Sequence, residues 1–455
     1  MNRRSFLQAS TASLVAGCIS SRLASLPRAG SRPRPSAAQL AWQRDELAMF
    51  LHFGVNTFTD REWGDGREDP AIFAPARLDA RQWARKAREA GFRSMILTAK
   101  HHDGFCLWPS STTTHSLARS PWRSGQGDVV RDLVDSCRAE GLHPGLYLSP
   151  WDRNNPAYGN SSLYNDLYCD QLTELLTRYG RIGEVWFDGA NGEGPNGKRQ
   201  IYDWPRVFGL VRRLQPDAVI FSDAGTDARW CGNERGLAGE PNWSTVNPGV
   251  VTEPGASGAG VIEELQHGDP GGTAWRPAEV DTSIRPGWFH HPAEDSRVRT
   301  VDELVELYFT SVGRNAKLLL NVPPTRDGVL HETDVARIAG FRRRLDSLFE
   351  NPTSGVRSTW RVAGARSAEL DVELGDSATI AAVRLEENIA RGQRVSRYSV
   401  RGATETGWRT LSCGTTVGYA RLDRCEPTVV RRVRVVVEDA VATPERIGIT
   451  MYAGA

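Results

Sequence analysis

Between residues 45 and 325 the chain alternates short apolar runs with stretches of helical period, and this alternation restricts its folds more than any other feature. The runs are AMFLHFGV (48–55), SMILTAKHHD (94–103), PGLYLSPWD (144–152), EVWFDGA (184–190), AVIFSDAG (218–225) and KLLLNV (317–322). Between them lie LDARQWARKAREAG (78–91), VVRDLVDSCRAEG (129–141), LYNDLYCDQLTELLTRYG (163–180) and PRVFGLVRRLQP (205–216). VDELVELYFTSVGRN (301–315) precedes the last run. Strands apolar on both faces, alternating with amphipathic helices, form a parallel sheet covered on both sides. The best fit is an α/β fold of (β/α)8 type, a TIM-like barrel in which some units are degenerate. Six units are visible, and the loop-rich stretch 230–300 has room for one or two more. A doubly wound open sheet fits less well, because no GxGxxG follows the first strand.

At ENPTSGVRSTW (350–360) the texture changes. Helical periodicity stops, and short β-rich segments with turn residues follow (TIAAVRLEENI, RVSRYSVRG, GWRTLSCG, VVRRVRVVVED), which read as an antiparallel β-sandwich. The expected division is therefore 1–37 export signal and linker, 38–349 barrel, 350–455 sandwich. The sandwich carries no binding motif and reads as support. The N-terminus, MNRRSFLQASTASLVAGC, has twin arginines (Arg3, Arg4) before a short apolar run and resembles a twin-arginine export signal. Val15-Ala16-Gly17-Cys18 resembles a lipoprotein cleavage box, which would leave Cys18 lipidated. The expected location is periplasmic or cell-surface, and no later run is apolar enough to span a membrane.

Charge is balanced, with 56 Lys+Arg against 55 Asp+Glu, so there is no basic footprint for nucleic acid. The remaining cysteines form no CxxC or zinc-ligand spacing, although Cys413 and Cys425 are close enough in sequence to meet across a hairpin. The 14 tryptophans are many, and indole faces suit the apolar C–H faces of sugars as well as protein cores.

Asp188 stands at the end of an apolar strand, before a glycine turn. Alone, that is turn vocabulary. The tails of the other strands change the reading. His52 sits in the first, ahead of a loop carrying Glu62 and Trp63. His101, His102 and Asp103 end the second; Tyr147, Trp151 and Asp152 the third; Trp186 and Asp188 the fourth; Asp223 the fifth. In a barrel these tails share one face, the one that carries active sites, so they should line a single polar, aromatic pocket. A metal centre is disfavoured, since adjacent His101 and His102 point to opposite faces of a regular strand. Glycoside hydrolysis needs two carboxyl groups. Asp188 is the natural nucleophile, with a glycine after it that admits substrate. Glu234, Glu193 and Glu279 are all open as the acid.

LHFGVNTFTDREWGDG, LTAKHHDGFCLWPS, LYLSPWDRN and EVWFDGANGEG, in this order, resemble family-29 glycoside hydrolases, the retaining α-L-fucosidases, over roughly residues 40–345. The resemblance implies exo-acting hydrolysis of terminal α-L-fucose by double displacement, with no cofactor or metal and with fucosylated oligosaccharides or glycoconjugates as partners. It places the nucleophile on Asp188 and the acid/base on Glu234, with Glu279 in reserve. It places His52, Glu62, Trp63, His101, His102, Tyr147, Trp186 and Trp288 on fucose-contacting positions. PAEVDTSIRPGWF is similar to the branch selective for 3- and 4-linked fucose. The competing readings are a non-catalytic fucose- or glycan-binding barrel and another retaining exo-glycosidase.

Overall fold

The computed structural model describes residues 32–454; the export segment and Cys18 lie outside the described residues. Eight parallel strands form the first unit: β1 (Leu47–Leu51), β2 (Ser94–Lys100), β3 (His143–Leu148), β4 (Glu184–Trp186), β5 (Val219–Phe221), β6 (Arg229–Trp230), β7 (Ala278–Ser283) and β8 (Lys317–Asn321). Their hydrogen-bonded order is β5-β4-β3-β2-β1-β8-β7-β6. A parallel bridge between Phe221 and Ala228 brings the two ends together, so the sheet is a nearly closed barrel. β6 and β7 are the two strands hidden in the loop-rich stretch. β6 is only two residues long, and β7 (AEVDTS) alternates polar and apolar residues, so neither shows an apolar run.

Helices α1 (Ala37–Arg44), α2 (Ala80–Glu89), α3 (Val129–Ala139), α4 (Ser161–Arg178), α5 (Trp204–Leu214), α6 (Ala259–His267), α7 (Val301–Thr310) and α8 (Glu332–Phe349) surround the barrel. The starts of α2, α3 and α5 repeat one device. Asp79, Asp128 and Asp203 each accept a hydrogen bond from the backbone N–H three residues on, a cap contributing roughly 1 kcal/mol per helix. Each helix then turns an apolar face inward, for example Trp83, Ala84 and Ala87 of α2. α1 closes the N-terminal end of the barrel, where its Trp42 is 5% exposed. Among the described residues no helix is long and apolar enough to cross a membrane.

Past α8 the chain forms β9 (Gly355–Val362), β10 (Ala368–Glu386), β11 (Val395–Thr404), β12 (Gly407–Gly414), β13 (Arg421–Ala440) and β14 (Gly448–Tyr452). All pairings among them are antiparallel. β9 pairs with the first half of β10 and β14 with the second. Register shifts in the middle of β10 let the sheet double back over a Val- and Leu-rich core. Polar contacts dock this sandwich on the barrel: Arg421 reaches Glu240 (2.7 Å), and Tyr419 donates to the Ala316 carbonyl (2.7 Å). Cys425 is a free thiol on β13. Cys413 lies on β12, opposite Ser399 of β11, so the two do not meet across a hairpin.

Candidate active site

At the barrel mouth, His52, His101, His102, Asp188 and Glu234 lie one to four positions past the strand ends, where the backbone has left the ladder and side chains can converge. Asp188, two residues past β4, is anchored from both sides. The Ala190 N–H donates to its Oδ1 (2.7 Å) and the Tyr147 hydroxyl to its Oδ2 (3.1 Å), with His102 Nε2 3.8 Å from the same oxygen. Its side chain is still 30% exposed, so it faces a space a ligand can enter. Gly189 has a different role from admitting substrate. A Cβ there would stand 2.5 Å from Asp223 Oδ2 and 2.7 Å from the Gly255 nitrogen, so glycine lets the 253–256 loop close against the strand end.

His101 and His102 do not split to opposite faces. β2 ends at Lys100, the pairing with β3 shifts register between Thr98 and Lys100, and the chain enters a turn. Both rings therefore lie in the mouth, with centroids 4.1 Å apart. The period-2 rule fails here because the strand is already over. Three histidines now form a set, and their hydrogen-bond partners assign the protons. Asn321 donates its amide to Ser283 Oγ (2.9 Å) and the Trp288 carbonyl (2.8 Å), which fixes its Oδ1 as acceptor for His52 Nδ1 (2.9 Å). His52 thus presents a bare Nε2. Ser149 donates to the Trp151 carbonyl (2.7 Å) and accepts from His102 Nδ1 (2.7 Å), leaving His102 Nε2 bare as well. His101 Nδ1 faces the Asn56 amide at 3.5 Å, which leaves its Nε2–H as a donor. Burial depresses the pKa of all three, that of His52 to about 3. Neutral rings offering acceptor, donor and acceptor match sugar hydroxyls, which both give and take a proton.

Aromatic rings line the same space. Trp186 stacks on Phe221 (4.3 Å) and lies 5.2 Å from Tyr147. Its N–H points away from the mouth to Glu279 Oε1 (3.0 Å), so the indole separates the mouth from the barrel interior. Trp288 is 5.0 Å from His52, and Trp63 is 59% exposed at the rim beside His102 and Trp151.

The candidate acids part company. Glu234 lies four residues past β6 in a loop pinned by the Thr282 hydroxyl on its carbonyl (2.9 Å). Burial, then the negative charge of Asp188, raises its pKa above the usual carboxylate range, against a hydrogen bond from Trp288. Glu279 is 0% exposed and lies below the Trp186 indole among Glu184 and Lys317, which removes it from the mouth. Glu193 is exposed, and its carbonyl accepts the Trp151 N–H (3.0 Å). Glu62 is mostly occupied with its own neighbours: its oxygens accept from the Trp288 N–H (3.0 Å), the Phe289 N–H (3.1 Å) and His291 Nε2 (2.8 Å). A Cβ at Gly287 would stand 2.2 Å from Glu62 Oε1. Glu62 therefore clamps the loop that carries Trp288.

Two strand-tail carboxylates lie outside the mouth. Asp103 accepts from the Phe105 N–H (2.7 Å) and Asp152 from the Asn154 and Asn155 N–H groups, both serving turns. Conversely, sequence reasoning missed Asp281. It is 4% exposed, accepts the Trp230 N–H (2.7 Å), and is pushed up to about 8 by burial and by the charges of Glu234 and Asp188. The available signal was the alternation of Glu279, Asp281 and Ser283, a polar stripe facing the barrel interior.

The α-L-fucosidase family profile matches residues 68–345. Alpha-L-fucosidase 1 of Arabidopsis thaliana is 42% identical over 448 residues, covering 90% of this chain and 86% of its own. Among solved structures, SpGH29 superposes with a TM-score of 0.87 at 39% identity, covering 93% of this chain and 99% of its own. A Ruminococcus gnavus GH29 fucosidase in complex with fucose gives 0.82 at 29% identity, covering 94% and 97%. The chain belongs to the α-L-fucosidase family, glycoside hydrolase family 29.

Proposed function

We propose that this chain is an exo-acting, retaining α-L-fucosidase that releases 1,3- or 1,4-linked fucose from branched glycans. The observation that carries the reading is the pairing of two unlike carboxyls at one mouth. Asp188 is held ready by two hydrogen bonds, and Glu234 is kept proton-rich partly by the charge of Asp188. Carboxyls whose proton affinities are driven apart divide into nucleophile and acid. Asp188 attacks the anomeric carbon as the C–O bond to the leaving group breaks, and Glu234 gives that oxygen its proton. Glu234, now the base, takes a proton from water, which attacks the fucosyl–Asp188 ester and frees fucose with net retention. His52, His101 and His102 hold the hydroxyls, and Tyr147 steadies Asp188 Oδ2. Trp63, Trp186 and Trp288 cover the apolar faces, and Glu62 acts through the 287–291 loop. No step calls for a cofactor. The N-terminal sequence supports export to the periplasm or cell surface, with Cys18 as a lipid anchor.

The test is hydrolysis, by leaderless protein, of an aryl α-L-fucoside and a branched 3- or 4-fucosylated oligosaccharide in parallel. Fucose release from the branched sugar with poor aryl cleavage supports the linkage reading, whereas fast aryl cleavage removes it and keeps the fucosidase. Silence on both from folded protein favours a glycan-binding barrel. Cleavage of a different aryl glycoside alone favours another exo-glycosidase.

A further inference from the structure

On the flank of the barrel mouth we propose a binding site for a divalent transition-metal ion, zinc by preference, formed by His290, Asp295 and His331. His290 Nε2 lies 3.4 Å from Asp295 Oδ1, His331 Nε2 lies 3.5 Å from Asp295 Oδ2, and the three ligand atoms all fall within 4.8 Å of one another. Around a tetrahedral zinc with bonds of about 2.0–2.1 Å, ligand atoms stand about 3.3–3.4 Å apart. The two imidazoles thus face one carboxylate, one at each oxygen, at separations close to that spacing.

The burial of His290 adds a second observation. His290 is 5% exposed, and its Nε2 makes no well-formed hydrogen bond, with Asp295 Oδ1 3.4 Å away. A buried ring nitrogen without a partner is costly, and it points at the carboxylate an ion would share. The three residues border a cavity of about 610 Å³, also lined by Asp60, Asp327 and Glu332 and by Arg77 and Arg326. It has room for a water as fourth ligand.

Arg285 is the group that would oppose a cation. It donates to Asp295 Oδ1 (2.8 Å), but its other nitrogens make two bonds to Asp334 (2.8 and 2.9 Å), so its charge is met elsewhere and it orients the Asp295 carboxylate. His331 pays one contact: its Nδ1 accepts the Thr333 N–H at the start of α8 (3.3 Å), and coordination through Nε2 moves the ring proton to Nδ1. Two imidazoles and one carboxylate suit zinc, whereas magnesium and calcium take oxygen ligands. An ion here would tie the 287–291 loop to the first residues of α8. The proposal does not depend on the substrate reading.

The experiment uses the full leaderless chain, chelator-treated and free of any polyhistidine tag. Zinc is titrated against a chromophoric chelator, and the Co(II) form is examined in visible absorption. The variants are His331→Asn, which keeps a good helix cap, and His290→Gln. One equivalent bound by the parent is expected. Each variant should weaken it by more than the roughly 10–100-fold that loss of an outer-shell partner costs. The Co(II) form should show tetrahedral d–d bands without thiolate charge transfer. No retained equivalent, equal affinity in parent and both variants, or a thiolate band that points to the cysteines would overturn the proposal.

Discussion

The two ends of the barrel collect the same chemistry and put it to opposite uses. At the mouth, Asp188, Glu234, Asp281 and Asp223 cluster beneath histidines and indoles. At the floor, Glu184 and Glu279 sit with Lys317 under Trp42. The Trp42 N–H donates to Glu184 Oε2 (2.8 Å), and Lys317 Nζ is 3.6 Å from the same oxygen. Burial raises the pKa of both floor glutamates, against the opposing attraction of Lys317. The floor glutamates are shut away from solvent: Glu279 is 0% exposed and Glu184 2%. At the mouth, Asp188 keeps 30% of its side chain open. Carboxylates between aromatic N–H groups are common to both ends. Access, and a partner that can change protonation during a reaction, belong only to the mouth.

The largest effect separating the two ends should come from neutral isosteres. Asp188→Asn is expected to lower kcat on an aryl α-L-fucoside by about 10⁴-fold or more. Glu279→Gln, which retains an acceptor for Trp186, should stay within about tenfold of the parent. Equal losses in the two variants would erase the distinction. Glu234→Ala should lower kcat by about 10²–10⁴-fold, with azide restoring turnover of a substrate that carries a good leaving group. In the parent, activity should fall as pH rises through the elevated Glu234 pKa, because the donor form is then lost. That alkaline limb should be absent from the azide-rescued variant, which pH–rate profiles will show.

Lys317→Met strips the floor of its cation and leaves buried carboxyl charge uncompensated. Urea denaturation should show a loss of about 3–5 kcal/mol, with kcat of the folded fraction preserved. The smallest expected effect is at Asp281. Its pKa is raised from 3.8 to about 8, so its contribution to stability is complete below about pH 4 and is lost as pH climbs through about 8. Asp281→Asn keeps the Trp230 contact and removes that loss. Above pH 8 it should be more stable than the parent by at least about 1 kcal/mol, with no gain near pH 4.

The barrel was readable wherever a strand was buried on both faces, since continuous apolar runs such as LAMFL and KLLLN announce themselves. It was not readable at β6 and β7. One is two residues long, and the other turns Glu279, Asp281 and Ser283 into the barrel. At the site, Asp188 and the three histidines could be assigned to one barrel end from strand tails alone, although the period-2 rule turned His101 and His102 to opposite faces. Their proton arrangement could not, because it depends on Asn321 and Ser149, neither of which carries a sequence signal. Asp103 and Asp152 looked like mouth residues because position along a strand says nothing about which way a side chain turns after the ladder ends. Nothing in the sequence removed Glu279 from its place in reserve behind Glu234; the Trp186 indole, which lies above it with its N–H turned down to it, does.

The claim that the mouth does the chemistry rests on Asp188 becoming covalently loaded, and that can be observed. The leaderless protein would be incubated with a 2-deoxy-2-fluoro-L-fucosyl fluoride, digested, and mapped by tandem mass spectrometry. A single fluorofucosyl adduct on the peptide bearing Asp188, lost on Asp188→Asn and undiminished in Glu279→Gln, is expected. An adduct on any other carboxylate, or enzymatic fucose release with no adduct and inverted product, would contradict it.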